Sequence, residues 1–320
     1  MRVLLTGAFG NLGSLVVEKL LERKHHVVAF DVPGKVNRKI AGAFESDPNV
    51  EIVWGDIRDA DRVASLVHGV DAVVHLAAII PPFSERNPEL ARAVNVGGTE
   101  HIVRAIETAA RPPLLVFGSS ISVFGPRKQG DPLCTPQDEV VETDHYSGHK
   151  IQSEKRIQAL ASPWAILRLA GMIDERLRQR DPAQARMAFS LAPDNPVEYV
   201  HTGDAATAIA NVLDRPEAHD RIHLIGGGRA CQVTVLQLTQ TLIGAYGLQV
   251  SAGDMGKAPT AAPWLDTSES ERLLSYQQHT AEDFRRESLR KFRFVRPLVR
   301  PLSPLIMAAM KLWLRKGDPS

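Results

Sequence analysis

Tyr146 and Lys150 stand four residues apart in the stretch YSGHK. On a helix, positions i and i+4 share one face, a turn apart. A free phenol titrates near ~10, too high for a base at neutral pH. An ammonium held beside it favours the phenolate. The pair can therefore take a proton from an alcohol or give one to a carbonyl, if the rest of the chain builds a pocket over that helix face. His145 and His149 lie on the same helix at the same spacing and read as solvated helix histidines, so no metal is expected.

A second group of residues is suited to phosphate. In TGAFGNLG (6–13), Gly7, Gly10 and Gly13 follow an apolar run and precede a helical pattern. Glycines allow a tight turn and let backbone amides approach a pyrophosphate, which sits at the positive end of the helix. This strand–turn–helix context marks a dinucleotide site. Asp31 ends the next apolar run, where an acid accepts hydrogen bonds from both ribose hydroxyls and repels a 2′-phosphate. NAD is expected over NADP, with Lys35 and Arg38 close enough to soften the preference. In GDIRD (55–59), Asp56 and Ile57 stand where the adenine edge would lie.

These residues need a scaffold. The stretches 2–7, 26–31, 50–56, 71–78, 113–120 and 163–171 read as strands, being continuous apolar runs suited to a sheet covered on both faces. Helical patterns at 11–23, 60–68 and 89–109, and around YSGHK, alternate with them. The alternation predicts an α/β fold, a Rossmann-like doubly wound parallel sheet with right-handed crossovers. Residues 1–172 form the nucleotide-binding domain in this reading. Residues 173–290 form a smaller C-terminal α/β substrate-binding region, interleaved with that core. Within it, 174–197 reads as a loop-rich lid or substrate segment, 202–214 and 234–247 as amphipathic helices, and 221–228 as a strand.

Composition sets outer limits. The 320 residues are 44% hydrophobic with a net charge of +1, which gives no global case for nucleic acid. Cys134 and Cys231 are far apart and in no metal-like spacing, which fits a reduced, cytoplasmic protein. The opening run is short and broken by glycines, unlike a signal peptide, and no stretch is apolar for the roughly 18–20 residues of a membrane span. Residues 285–320 carry ten Lys/Arg against two acids, a basic and apolar tail on a mildly acidic body.

TGAFGNLG, Asp31, GDIRD, HLAA (75–78), NVGGT (95–99), SSISVFG (119–125), YSGHK and VHTGDAATAI (200–209) come in one order and spacing. As a set, covering residues 1 to about 290, they resemble the extended short-chain dehydrogenase/reductase family, its epimerase/dehydratase-like branch. The resemblance implies that Gly7, Phe9, Gly10, Asn11, Leu12 and Gly13 hold the pyrophosphate, Asp31 the ribose, and Asp56 and Ile57 the adenine. Leu76, Ala77 and Ala78 would line the cofactor cleft, and Asn95 matches a helix asparagine near the active site. Ser120, Tyr146 and Lys150 would be catalytic: Ser120 holds the reacting oxygen, Tyr146 moves its proton, and Lys150 also binds the nicotinamide ribose. The resemblance further implies a homodimer.

Several positions depart from the family pattern. His149 replaces the usual Ser or Thr before the lysine. Gly171 stands where nucleotide-sugar members carry asparagine, and Val197 where they often carry a diphosphate-gripping arginine. Arg168, Arg176, Arg178 and Arg180 are the candidates to compensate. Ile121 and Ser122 replace the Asp-Glu of the dehydratases. Residues such as Ile79, Phe83, Met172 and Tyr199 would make a largely apolar pocket. The leading expectation is an NAD(P)-dependent oxidoreductase interconverting a secondary alcohol and a ketone on a small, partly hydrophobic molecule. The alternatives are a nucleotide-sugar epimerase with tightly held NAD and a non-catalytic nucleotide-binding regulator. For the tail (291–320), prolines at 297, 301 and 304 are expected to break any helix before about 304, and 304–316 to form an amphipathic helix. That helix reads as a peripheral membrane contact, a dimer or lid contact, or a helix packed on its own domain.

Overall fold

The structure is a computed structural model that describes residues 1–173 and 182–315. Its strands are β1 (Arg2–Thr6), β2 (His26–Asp31), β3 (Val50–Trp54), β4 (Ala72–His75), β5 (Leu114–Ser120), β6 (Trp164–Leu169), β7 (Gly171–Ile173), β8 (Pro196–His201), β9 (Arg221–Ile225) and β10 (Gln232–Thr234). Seven form one sheet in the order β3-β2-β1-β4-β5-β6-β9, with every neighbouring pair parallel. The other three, β10-β8-β7, form a small mixed sheet.

The continuous apolar runs follow from burial on both faces. Val3 and Leu5 pack with Val16, Val17 and Leu20 of the helix Asn11–Glu22 and with Ile209 and Val212 of the helix Thr202–Leu213. Leu4, between them in sequence, packs on the opposite side with Val63, Val67, Ile102 and Ile106. Burying a leucine of this kind stabilises the fold by about 2 kcal/mol. The sheet order reverses direction at β1, which lies between β2 and β4. In open α/β sheets, ligands bind beyond the carboxyl ends of the strands at such a reversal. The glycine turn follows β1, HLAA runs out of β4, and Ser120 ends β5, so all three stand along that edge.

Two expectations need correction. The single helix foreseen over 89–109 is instead Pro88–Arg92, a π-helical turn Ala93–Gly97, and a helix Gly98–Thr108. The wide turn carries Asn95, whose buried amide holds the backbone of Ile79 on both sides (Oδ1 from N–H, 2.7 Å; Nδ2 to C=O, 2.9 Å). The helix gives up its regular register to make that contact. The tail is helical well before 304: short turns at Arg296–Val299 and Arg300–Leu302 lead into a helix Ser303–Arg315. Pro297, Pro301 and Pro304 each fall at the start of one of these segments, where the missing N–H has no helical partner to lose. Of the foreseen lid, 182–190 is helix; Arg176, Arg178 and Arg180 lie outside the described residues.

Candidate active site

The glycine turn has the shape that its composition suggests. Gly7 has φ +70°, and a Cβ there would press on the backbone of Leu76 and Ala77. A Cβ on Gly13 would collide with the Gly7 carbonyl oxygen, so the helix can start this close to β1 only with glycine at that position. The helix Asn11–Glu22 has no side-chain cap on its first turn and no acid there. A helix N-terminus without an acidic side chain suits an anion. Phe9 and Leu12 bury their side chains, Phe9 against Trp54 with ring centroids 5.2 Å apart, so they can meet a pyrophosphate only through backbone. Asp31 fixes this loop: its Oδ2 accepts the Phe9 N–H at 2.8 Å, and its Oδ1 accepts the Val32 N–H at 2.7 Å and the Asn37 amide at 3.1 Å. Burial raises its carboxyl above the usual range, and the Phe9 and Val32 amides oppose that rise.

The remaining predicted cofactor residues fall around this turn. Asp56 is held by Arg58, with Arg58 Nη2 to Oδ2 at 2.6 Å, and this hydrogen bond lowers its pKa. Ile57 is buried against Gly98, and its carbonyl oxygen lies 3.1 Å from His101 Nδ1. Leu76, Ala77 and Ala78 are half-buried, and Ala77 donates its N–H to Thr6 Oγ1 at 3.2 Å. Asn95 acts on the Ile79 loop, with both polar atoms of its side chain engaged there. His75 is a satisfied core residue: its ring nitrogens meet the hydroxyls of Thr6 (2.8 Å) and Thr99 (3.1 Å), and burial lowers its pKa to about 3.

Ser120, Tyr146 and Lys150 are brought together. Ser120 caps the short helix Ile121–Phe124, accepting from Ser122 N–H (3.2 Å) and Oγ–H (3.0 Å). It also hydrogen bonds to the Tyr146 phenol. Tyr146 and Lys150 ride the helix His145–Gln158, which starts with a capping box between Asp144 and Ser147. Tyr146 is half-buried by surface area, so a ligand can reach it, yet its hydroxyl end sits deep among protein atoms. Burial pushes the phenol up to about 12, with the Ser120 hydrogen bond working the other way. Lys150 is buried and donates to the Gly118 carbonyl at 2.6 Å; burial lowers its pKa to about 8. Its Nζ lies 4.6 Å from the Phe117 ring centre and 5.7 Å from that of Tyr146. The expected lowering of Tyr146 by Lys150 is therefore not present here: the ammonium is directed at Gly118, and desolvation of the phenol dominates. Burial thus favours the neutral phenol of Tyr146.

Three supports escape the sequence reading. Glu85, on the short helix Phe83–Arg86, accepts the first amides of the helix His145–Gln158, His145 N–H at 3.1 Å and Tyr146 N–H at 3.2 Å, so a carboxylate sits at the positive end of that helix. Glu154, one turn after Lys150, forms a buried ion pair with Arg168 of β6 (Nη2 to Oε2, 2.8 Å) and accepts Ser119 Oγ–H at 2.5 Å. The i+4 spacing from Lys150 was the available signal for Glu154. Arg168 is thus committed inside the protein and is not a substitute diphosphate grip. The third is Glu198, next to Val197. It is fully buried and accepts the amides of Gly228 (3.1 Å) and Leu265 (2.8 Å) and the Gln232 side chain (2.9 Å). It ties the small sheet to the loop after β9. Val197 itself is buried in the small sheet opposite Val233, and Gly171 is exposed. His145 is exposed as expected, but His149 is buried, and their stacked rings lie 6.4 Å apart. The histidine group with ligand-like spacing among the described residues is elsewhere, His201 and His279 with Asp204; the Asp204 carboxylate is taken up by the Gln278 and His279 amides and by His279 Nδ1.

This geometry has clear relatives. The model of the NAD dependent epimerase/dehydratase family matches residues 3–226. A 3 beta-hydroxysteroid dehydrogenase/Delta 5-->4-isomerase of Mycobacterium tuberculosis is 32% identical over 165 residues, which is 49% of this chain and 42% of the relative. This chain is thus matched over less than half the length of that relative. An uncharacterized UDP-glucose epimerase, YtcB, of Bacillus subtilis is 25% identical over 88% of this chain and 94% of its own. The dTDP-glucose 4,6-dehydratase DesIV of Streptomyces venezuelae, solved with NAD bound, superposes with a TM-score of 0.77 at 26% identity, over 94% of this chain and all of that one. The UDP-glucuronic acid 4-epimerase of Bacillus cereus has the same fold, with a TM-score of 0.77 at 19% identity over 93% of this chain and all of that one. With the glycine turn, Asp31 and Ser120 at the carboxyl ends of strands of one parallel sheet, these matches establish that the chain belongs to the NAD dependent epimerase/dehydratase family, as an enzyme of the extended short-chain dehydrogenase/reductase type.

Proposed function

We propose that the protein is an NAD-dependent oxidoreductase that interconverts a secondary alcohol and a ketone on a small, partly hydrophobic molecule. The observation that carries this reading is the pairing of a protonated, half-buried Tyr146 with Ser120 beside a glycine cradle that suits a pyrophosphate. Gly7, Gly10 and Gly13 with the amides of Asn11 and Leu12 would hold the pyrophosphate, with Phe9 shaping the turn through its N–H to Asp31, Asp31 the ribose, Asp56 and Ile57 the adenine edge, and Leu76, Ala77 and Ala78 the cleft wall. NAD supplies the hydride chemistry.

Ser120 Oγ holds the substrate oxygen, and Tyr146 gives its proton to that oxygen as a carbonyl is reduced. In the oxidising direction Tyr146 must first lose a proton, which the positive charge of the oxidised cofactor would favour. Asp31 supports NAD over NADP, because a 2′-phosphate would meet its carboxylate. Asn95 would act indirectly, by holding the Ile79 loop over the cleft. A homodimer is proposed on the family resemblance alone.

The second reading is a nucleotide-sugar epimerase with tightly held NAD, favoured by the near full-length match to YtcB. Val197 and Arg168 weigh against it: one is buried and apolar and the other is in an internal ion pair, so neither position offers a charge to a diphosphate. Binding of NAD, NADH, NADP and NADPH to the purified protein, followed by an alcohol and ketone screen, separates these readings. Exchangeable NAD(H) with turnover of an apolar ketone supports the oxidoreductase. Stoichiometric NAD surviving purification, with turnover of a UDP-sugar, would replace it with the epimerase. Binding of all four cofactors without turnover of either class would leave a nucleotide-binding regulator.

A further inference from the structure

The tail presents an apolar stripe outward. Phe294, Leu298, Leu302, Leu305 and Leu312 recur at helical spacing along 294–312 and are 73%, 75%, 51%, 71% and 60% exposed. These figures rule out the simplest account, an apolar face packed on its own domain, because the tail has a separate face for that. Met307 and Met310 pack with Phe189, Val250 and Ile243, Ser303 Oγ accepts the Gln249 N–H at 2.9 Å, and the Phe292 ring lies 3.9 Å from that of Tyr246. Lys311 pairs with Asp254. The segment is therefore docked on one side and bare and apolar on the other.

Charge selects the occupant of the bare side. From Ser288 to Gly317 the chain has no acid and eight Lys/Arg. Arg293, Arg296 and Arg300 are exposed and interleave with Phe294, Leu298 and Leu302. A second copy meeting this stripe about a two-fold axis would set arginines against arginines, with no acid of the segment to compensate. An anionic lipid surface supplies what both parts require, hydrocarbon for the leucines and phosphate for the arginines. Beside the stripe, a cleft of about 690 Å³ is lined by Arg290, Lys291 and Arg293 against one acid, Glu287, so the positive surface continues past the end of the helix. No helix among the described residues is long and apolar enough to cross a membrane, so the contact would be interfacial. We infer that residues 293–312 dock the protein onto anionic phospholipid membrane, with Phe294, Leu298, Leu302, Leu305 and Leu312 entering the acyl boundary and Arg293, Arg296 and Arg300 meeting the headgroups. This inference is independent of the substrate reading.

The test is sedimentation of the full chain with vesicles of phosphatidylcholine alone and of phosphatidylcholine with phosphatidylglycerol, at low and physiological salt. Binding to the anionic vesicles, weakened by salt, is expected. Leu298→Glu with Leu305→Glu should lower the affinity at least about tenfold, as should Arg293→Glu with Arg296→Glu. All four positions are exposed, so cofactor binding by these variants should match the parent, which separates loss of docking from loss of fold. Failure to sediment with anionic vesicles overturns the inference. So does equal binding to both vesicle types, or a concentration-dependent dimer in gel filtration that the Leu298→Glu/Leu305→Glu variant abolishes while vesicle binding is absent.

Discussion

Glu154 and Arg168 form an ion pair one turn along the helix from Lys150 and beside Ser119, and removing one partner tests how far the candidate site depends on it. Both side chains are nearly inaccessible, at 2% and 3% exposure. Arg168 gives Glu154 three hydrogen bonds, Nε to the two carboxylate oxygens at 3.1 and 3.3 Å and Nη2 at 2.8 Å. Breaking a buried pair on one side costs about 3–5 kcal/mol, because the survivor is a buried, uncompensated charge. Arg168 would keep the Pro136 carbonyl at 3.2 Å and the face of Phe124 at 4.9 Å, the latter contributing about 1 kcal/mol. Glu154→Met should therefore cost about 3 kcal/mol, the low end of the range. Arg168→Met should cost at least as much, since it strands a carboxylate with only Ser119 as a hydrogen-bond donor. The double variant should recover most of the loss by replacing the pair with apolar packing. Urea unfolding of the four proteins measures the cycle, with an expected coupling of about 2–3 kcal/mol or more. Glu154 also raises the proton affinity of Lys150, so Glu154→Met should move the Lys150 ionisation below its present value of about 8. Single variants each losing under about 1 kcal/mol, or losses that simply add, would refute the reasoning.

Four shorter predictions follow from the same geometry. Tyr146→Phe should retain cofactor affinity and thermal stability while lowering kcat by about 10²–10⁴ in whichever reaction a substrate screen identifies; unchanged kcat would remove Tyr146 from the proton path. Gly13→Ala should weaken NAD binding more than about tenfold by titration calorimetry, because its Cβ and the Gly7 carbonyl cannot both stay in place. Burial raises Glu198 to about 7 from 4.5, so the native state keeps a proton that the unfolded chain releases. Its contribution to stability is full below about pH 4.5 and is lost as pH rises through about 7; Glu198→Gln should flatten the unfolding midpoint across that window. Glu85→Ala should slow turnover several-fold and shift the pH profile of Tyr146, and Glu85→Gln, which keeps an acceptor for the His145 and Tyr146 amides, should restore most of both.

Local patterns determined much of this protein. A glycine turn between strand and helix, an acid ending the second strand and a tyrosine one helical turn before a lysine all depend on residues a few positions apart, and the turn, the strand end and the shared helix stand where their spacing implies. Periodicity also sufficed for the layered sheet, because continuous apolar runs can be satisfied only by burial on both faces. Other features required the tertiary structure. Glu85 reaches the start of the helix carrying Tyr146 and Lys150 across 61 residues of chain, and Asn95 reshapes its helix to hold a peptide 16 residues earlier. Arg168 looks like a free cation in sequence and is half of an internal ion pair in the fold. The protonation of Tyr146 is likewise a tertiary property: how far desolvation outweighs a neighbouring ammonium depends on what packs around the phenol and on where the lysine points, and neither is encoded in the spacing YSGHK. In the tail, sequence alone showed an amphipathic, basic segment. Only docking of Met307 and Met310 on the body settled which apolar residues are left facing out.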